Sequence, residues 1–356
     1  MPSKEELKYL QSLPLDIKIA KTKQRIKEWV NYYGVDGVYV SFSGGKDSTV
    51  LLHIVREMYP SIEAVFINTG LEYPEIQSFV KSFDNVTILR PKMRFDEVIK
   101  TYGYPLIGKE ASERVDTARK CIVGGGINIS SITTNSRNDF PISLWQILGI
   151  GGFFSNRYNF SKWKPLLEVD FKISNKCCNI MKKKPIKDYS KKRGKLPITA
   201  QTAEESQLRK QQWLKNGCNG FCMKHPISNP MSFWTEQDIL QYIKQTHLPI
   251  ASVYGEIITK KDGIEYSSTL CNCGAKLCTT GCNRTGCIFC GFGAHLEKGE
   301  NRFQRLKRTH PKQYEYCLDG GAYDTDGLWK PTKDGLGMKH VFDELNRIYG
   351  KDFIKY

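Results

Sequence analysis

The sequence predicts an α/β protein, a doubly wound parallel sheet followed by a C-terminal cysteine-rich module. Three observations carry this. Short runs rich in Val, Ile and Phe alternate with helical stretches through the first hundred residues, the pattern of parallel βαβ units. The first run ends in a glycine turn, Ser43-Gly44-Gly45-Lys46-Asp47-Ser48, that opens a helix. The 12 cysteines are unevenly spread: none precedes Cys121 and six fall between Cys271 and Cys290.

Residues 15–33 set Ile17, Ile19, Ile26 and Val30 among charges, which suits a surface helix ended by Gly34. Residues 37–42 read as a buried strand, 47–58 as a helix, 63–68 as a second strand and 74–83 as a second helix. A third strand follows at 85–90 and a third helix at 94–101. From 102 to about 164 the pattern loosens into an irregular or helical insertion with glycines at 124–126. Residues 195–200 look like a returning strand, 203–215 a helix and 235–245 another, capped by Ser232 or Thr235. We therefore expect a nucleotide-binding domain over 1–250 and a metal-binding module over 251–356.

Composition excludes other classes. Among 356 residues, 12% are aromatic and 25% charged, a globular balance unlike that of a disordered or collagen-like chain. No run approaches the roughly 20 apolar residues that span a bilayer, and the charged N-terminus does not resemble a secretory signal. The longest uncharged run, 140–156, contains Pro141, Gln146 and three glycines and reads as buried or loop structure. A cytoplasmic location with no membrane partner is the expectation, and there thiols bind metals or do redox chemistry instead of forming disulfides.

The glycine turn is an anion site by construction. Backbone N–H groups at a helix start, together with the positive end of the helix dipole, favour phosphate. Gly44 and Gly45 permit close approach, Lys46 neutralises charge, and Asp47 and Ser48 either hold Mg²⁺ or cap the helix. The spacing is not that of the Walker motif, and the bland alternative is an ordinary glycine-rich βα turn.

The six residues together resemble the signature of the PP-loop ATP pyrophosphatase superfamily. Three further segments are similar to those of its phosphoadenosine phosphosulfate (PAPS) reductase family: Asn68-Thr69-Gly70-Leu71-Glu72-Tyr73-Pro74, where Asn68 replaces the usual Asp; Tyr104-Pro105-Leu106-Ile107-Gly108-Lys109; and Lys176-Cys177-Cys178. The resemblance covers about residues 15–250. It implies cleavage of ATP between its α and β phosphates, with Lys46 and Asp47 as catalytic residues. Ser43, Gly44, Gly45, Ser48, Thr69, Gly70, Glu72 and Arg209 would complete the nucleotide site. Two departures bear on mechanism. Reductases of adenylyl sulfates usually alter the glycine turn, which is retained here, and they carry a C-terminal Glu-Cys-Gly-Leu/Ile-His motif, whereas this chain ends Lys351-Asp352-Phe353-Ile354-Lys355-Tyr356.

Cys287 and Cys290 form a CxxC that suits a metal knuckle, though a lone CxxC is weak evidence. In the related adenylyl-sulfate reductases a tandem Cys-Cys and a distant CxxC together bind a [4Fe-4S] cluster. The resemblance therefore implies Cys177, Cys178, Cys287 and Cys290 as ligands, with Cys282 in reserve. Buried thiols acting as small hydrophobes are the alternative for the tandem pair. Cys271, Cys273, Cys278 and Cys282 have the count for a separate zinc site in an unusual spacing, and thiolates alone do not separate iron from zinc. Cys317 reads as a buried structural thiol before a sulfur carrier. Cys121, Cys218, Cys222 and His225 have no assigned role.

The net charge of +16 is concentrated. Residues 162–215 hold 15 Lys and Arg against 5 Asp and Glu, with Trp163, Tyr189 and Trp213 interspersed. Such density attracts polyanions, and exposed aromatics would stack bases. Thr202 to Arg209 follows the returning strand, where open α/β sheets bind ligands. Its alternative role is a helix start with Thr202 as N-cap and Glu205 completing a capping box.

The expectation is an ATP-dependent, AMP-forming and pyrophosphate-forming enzyme with an iron-sulfur cluster. It would transfer sulfur to DNA, RNA or another acceptor, supplied by a sulfur donor or reductant protein. The alternatives are a reductase of adenylyl or phosphoadenylyl sulfate and a non-catalytic nucleic-acid-binding module.

Overall fold

The computed structural model describes residues 2–125, 141–149, 158–261, 264–266 and 274–356. They form two compact units, interleaved along the chain. The first comprises Met1–Asn68, Glu72–Arg90 and Pro185–Thr285; the second comprises Thr69–Leu71, Pro91–Lys184 and Gly286–Tyr356. Residues 251–356 thus divide between the units after Thr285.

The first unit is built on a six-stranded sheet. Its first three strands are β1 (Val38–Ser41), β2 (Ala64–Ile67) and β3 (Val86–Leu89), and the order is β3, β2, β1, Leu196–Ile198, Ile227–Ser228, Asn219–Gly220. All neighbours are parallel except the last pair. Val40 pairs with Ala64 on one side and Ile198 on the other, so β1 is central. Val38, Tyr39 and Val40 are accordingly fully buried, the continuous apolar run expected where helices cover both faces of a parallel sheet.

The helices alternate as the apolar periodicity requires. α1 (Lys4–Ser12) carries a capping box between Ser3 and Glu6. α2 (Leu15–Tyr33) turns Ile26, Trp29 and Val30 inward, and α3 (Lys46–Met58) buries Val50, Leu51, Ile54 and Val55. α4 (Pro74–Lys81) begins on its proline, whose missing N–H costs nothing there. The helix Glu236–Thr246 is capped by Thr235, which forms a capping box with Asp238. Asp238 also accepts a buried salt bridge from Lys18 of α2, 2.6 Å. A separate three-stranded antiparallel sheet holds Ile257–Lys261, Ile264–Tyr266 and Lys276–Thr279.

One expected helix is divided. Over 203–215 the chain makes a 3-10 turn, Ala203–Glu205, then an extended Ser206, then the helix Gln207–Asn216. Ser206 is its N-cap, with Oγ accepting from the Arg209 N–H at 3.3 Å. Thr202 makes no side-chain cap, so the capping box expected of Thr202 and Glu205 does not form. The Ala203 N–H is instead held by the Ser232 carbonyl at 2.7 Å, which pins the turn away from the helix.

In the second unit, the insertion is helical where described: Lys109–Gly125 is one helix, and Ile142–Leu148 buries every residue from Ser143 onward. Residues 140 and 150–156 of the uncharged run lie outside the described residues. Leu106–Ile107 pairs in parallel with Gly291–Phe292, and Gly321–Tyr323 pairs with Trp329–Pro331 as a hairpin. Phe303, Met338, Val341, Phe342 and Leu345 form a core between Arg302–Thr309 and Met338–Tyr349. Among the described residues no helix is long and apolar enough to cross a membrane.

Candidate functional site

In the first unit, β1 delivers the chain into the glycine turn and α3 leaves it. Gly44 has φ +72°, and a Cβ there would lie 2.7 Å from Val80 Cγ2 and 2.8 Å from Ile76 Cγ2. The turn therefore needs glycine twice over, for conformation and for packing against α4. Ser48 staples the turn: its Oγ accepts from the Ser43 N–H at 3.1 Å, lies 3.0 Å from Ser43 Oγ, and donates to the Gly45 carbonyl at 2.9 Å. That hydroxyl is spent inside the turn and shapes it.

Lys46 is buried with its charge compensated. Its Nζ lies 3.3 Å from Asp47 Oδ1, 3.3 Å from Glu236 Oε1 and 3.2 Å from the Asn283 carbonyl. Its backbone N–H, the first of α3, donates to the Tyr254 hydroxyl at 3.1 Å, and that hydroxyl lies 2.8 Å from Thr285 Oγ1. Tyr254 is buried, which raises its pKa. Arg209 ion-pairs with Glu205. Burial and the adjacent Arg284 lower the Arg209 pKa, and Asp47 opposes them. Around the glycine turn the structure places Ser43, Gly44, Gly45, Lys46, Asp47, Ser48 and Arg209 near Glu236, Tyr254, Asn283, Arg284 and Thr285. Those five carry no motif; only the predicted helix at 235–245 hinted at Glu236.

Thr69 and Gly70 belong to the second unit and Glu72 to the first. Thr69 Oγ1 accepts from the Leu71 N–H at 3.2 Å, and the Leu71 carbonyl accepts from the Ile288 N–H at 2.8 Å. Within the second unit, Leu71 is thus joined to the CxxC turn through its backbone.

All four expected cluster cysteines lie in the second unit. Burial pushes the Cys177 thiol up, and Cys287, Cys178 and Cys290 push it further. Burial, then Cys287, moves Cys290 to about 11, against a backbone hydrogen bond from Phe292 and the charge of Arg302. Arg302 Nη1 also donates to the Cys290 carbonyl at 2.9 Å. Lys182 acts on Cys177 in the same favourable sense as Arg302 on Cys290. The tandem pair runs into a π-helical turn, Asn179–Lys183, a distortion common at functional sites.

Among the described residues no three His, Cys, Asp or Glu side chains are placed to hold one metal ion. The four thiols are nonetheless mutual electrostatic neighbours, with a backbone N–H and two cations beside them. Four thiols are a donor set of the kind that iron-sulfur clusters take. Cys282 and Cys278 lie in the first unit, Cys282 buried and Cys278 half-buried; Cys271 and Cys273 lie outside the described residues.

Cys317 is fully buried with Sγ 3.4 Å from Met338 Sδ, and burial raises its pKa. The aromatics of the basic stretch differ from expectation: Trp163, Tyr189 and Trp213 are all buried. Trp163 packs on Tyr349 and Phe353, and Tyr189 on Tyr39, so none presents a stacking surface to a base.

A domain model described as the phosphoadenosine phosphosulfate reductase domain matches residues 37–120 and 152–291. An uncharacterised protein of Methanocaldococcus jannaschii is 37% identical over 73 residues, 19% of this chain and 18% of that protein. The chain therefore spans a small part of that relative's length. A crystal structure of phosphoadenylyl-sulfate reductase from Candida auris, in its phosphate complex, aligns with 76% of this chain and 98% of its own at 15% identity, with a TM-score of 0.36. With the glycine turn at the end of β1 and a domain model matched over more than half of its length, the chain belongs to the phosphoadenosine phosphosulfate reductase family.

Proposed function

We propose that the protein binds ATP at the glycine turn and adenylates an acceptor with release of pyrophosphate, as part of sulfur transfer. The observation that carries this is the Lys46 environment: a buried ammonium shared by Asp47 and Glu236 at the start of α3, beside a turn shaped by Gly44. Such an ammonium is preorganised to meet charge developing on a phosphate without moving through water. Asp47, half-exposed beside it, is the carboxylate available to Mg²⁺.

Cys177, Cys178, Cys287 and Cys290 would hold a [4Fe-4S] cluster. When bound it would supply a sulfur-carrying or electron-relaying centre; the residues around it, Arg302, Lys182 and the Phe292 N–H, favour ionised thiols. A polyanionic acceptor such as DNA or RNA is supported by the charge density of residues 162–215 and receives no support from the buried aromatics.

The test is pyrophosphate release from ATP by protein purified without oxygen. Release that disappears in Lys46→Ala and Asp47→Ala supports the reading, and a folded protein that neither binds nor cleaves ATP ends it. Reduction of adenylyl or phosphoadenylyl sulfate is the second reading, favoured by the family itself. Sulfite release would establish it.

A further inference from the structure

Arg284 stands beside the glycine turn on a strip that the fold holds rigidly. Within the first unit, the Gly281 N–H donates to the Tyr254 carbonyl and the Cys282 N–H to the Val253 carbonyl, both at 2.9 Å. A Cβ at Gly281 would sit 2.3 Å from the Val253 carbonyl oxygen, so the strip lies flush on Val253–Tyr254. Thr279 Oγ1 donates to the Cys282 carbonyl at 2.9 Å and tightens the turn. The next residues then reach the glycine turn and its partner: the Asn283 carbonyl accepts from Lys46 Nζ at 3.2 Å, and Thr285 Oγ1 lies 2.8 Å from the Tyr254 hydroxyl. Arg284, between them, is exposed.

Among the described residues, its charge is the one beside the loop that no carboxylate compensates. Lys46 is already compensated by Asp47 and Glu236, and Arg209 by Glu205. Among the described residues no carboxylate lies within ion-pair distance of Arg284. Its charge is near enough to Arg209 to help lower that residue's pKa. Two guanidiniums held together are favourable when an anion lies between them, and their planar N–H forks match phosphate oxygens.

We infer that Arg284, acting with Arg209, binds the terminal phosphates of the nucleotide and holds the pyrophosphate that leaves. The inference rests on the ATP-binding reading above and adds a residue and a subsite to it.

The test is calorimetric titration of wild-type protein, Arg284→Ala and Arg284→Lys with ATP, AMP and inorganic pyrophosphate. Thermal melts of each variant confirm the fold, which removal of an exposed side chain leaves intact. Arg284→Ala is expected to weaken ATP and pyrophosphate roughly ten-fold or more, the usual loss for a charged hydrogen bond, with AMP within about two-fold and Arg284→Lys intermediate. Unchanged ATP affinity in Arg284→Ala, or equal losses for ATP and AMP, would overturn the inference. Arg284-dependent pyrophosphate binding without any ATP cleavage would uphold the subsite while the adenylation reading fails. Wild-type protein that binds neither ATP nor pyrophosphate ends both.

Discussion

The backbone N–H of Lys46 donates to the hydroxyl of Tyr254, 208 residues away in sequence, at 3.1 Å. This is the amide that a phosphate would use at the start of α3. A buried phenol therefore occupies that donor, and a phosphate bound at the turn would compete with it.

Tyr254→Phe separates that competition from stability. Removing the hydroxyl leaves Thr285 and the Lys46 amide without this partner, so the melting midpoint should fall by an amount corresponding to about 1 kcal/mol. ATP affinity should rise by a few-fold because the amide is released. Weaker ATP binding in a folded variant would show that the hydroxyl assists the nucleotide instead.

Gly44→Ala tests whether the turn's shape is obligatory. The left-handed φ and the approach to Ile76 and Val80 act together, and we expect a loss of about 2–4 kcal/mol in denaturant unfolding. Nucleotide binding should disappear with it, since the chain must shift at the phosphate site to relieve the contact.

The Lys18–Asp238 pair ties α2 to the helix Glu236–Thr246 and so supports Glu236 from behind. Lys18 is 2% exposed, and its Nζ also donates to the Gln11 carbonyl at 2.7 Å. Lys18→Met should cost roughly 3 kcal/mol, since it leaves the Asp238 carboxylate without its countercharge and with only its Thr235 hydrogen bonds. Adding Asp238→Asn should recover part of that loss, and a double-mutant cycle by urea denaturation measures it.

Acid stability should depend on Glu63. Burial disfavours its charge, but hydrogen bonds from Lys195 (2.9 Å), Thr87 and Tyr189 (2.7 Å) outweigh burial and lower its pKa. A carboxyl whose folded pKa lies below its unfolded value stabilises the fold above the ordinary carboxylate range. That contribution fades as pH falls through the folded pKa. Glu63→Gln should lower stability at neutral pH and flatten the acid limb of a stability-versus-pH curve. An unchanged acid limb would remove Glu63 from the acid transition.

The four cysteines should act as one set. Replacing either Cys177 or Cys290 with Ser should abolish visible absorption and bound iron in protein purified anaerobically. Cys222→Ser, at an exposed position, should change neither. Iron content that survives in both former variants would redirect the ligand assignment.

Much of this molecule is written in local pattern. Val38 to Val40, the glycine turn and the apolar faces of α2 and α3 each state their structure within a few residues, because strand and helix periods and the turn's need for glycine are local properties. The tandem and spaced cysteines were legible for the same reason. The break at Ser206 was not, because it depends on the Ser232 carbonyl holding Ala203, a contact that no window of sequence contains.

The sequence by itself determined the sheet, the glycine turn that opens α3 and the spacing of the cysteines. Tertiary structure decided what surrounds them. Asn283 reaches Lys46, and Thr285 the Tyr254 hydroxyl, only because their strip is strapped to Val253–Tyr254, and Glu236 reaches Lys46 because a helix start faces the turn. Burial turned Trp163, Tyr189 and Trp213 inward, so a basic aromatic stretch became a basic surface with aromatic packing beneath. Charge compensation and burial depend on distances between residues far apart in the chain, which composition and spacing do not encode.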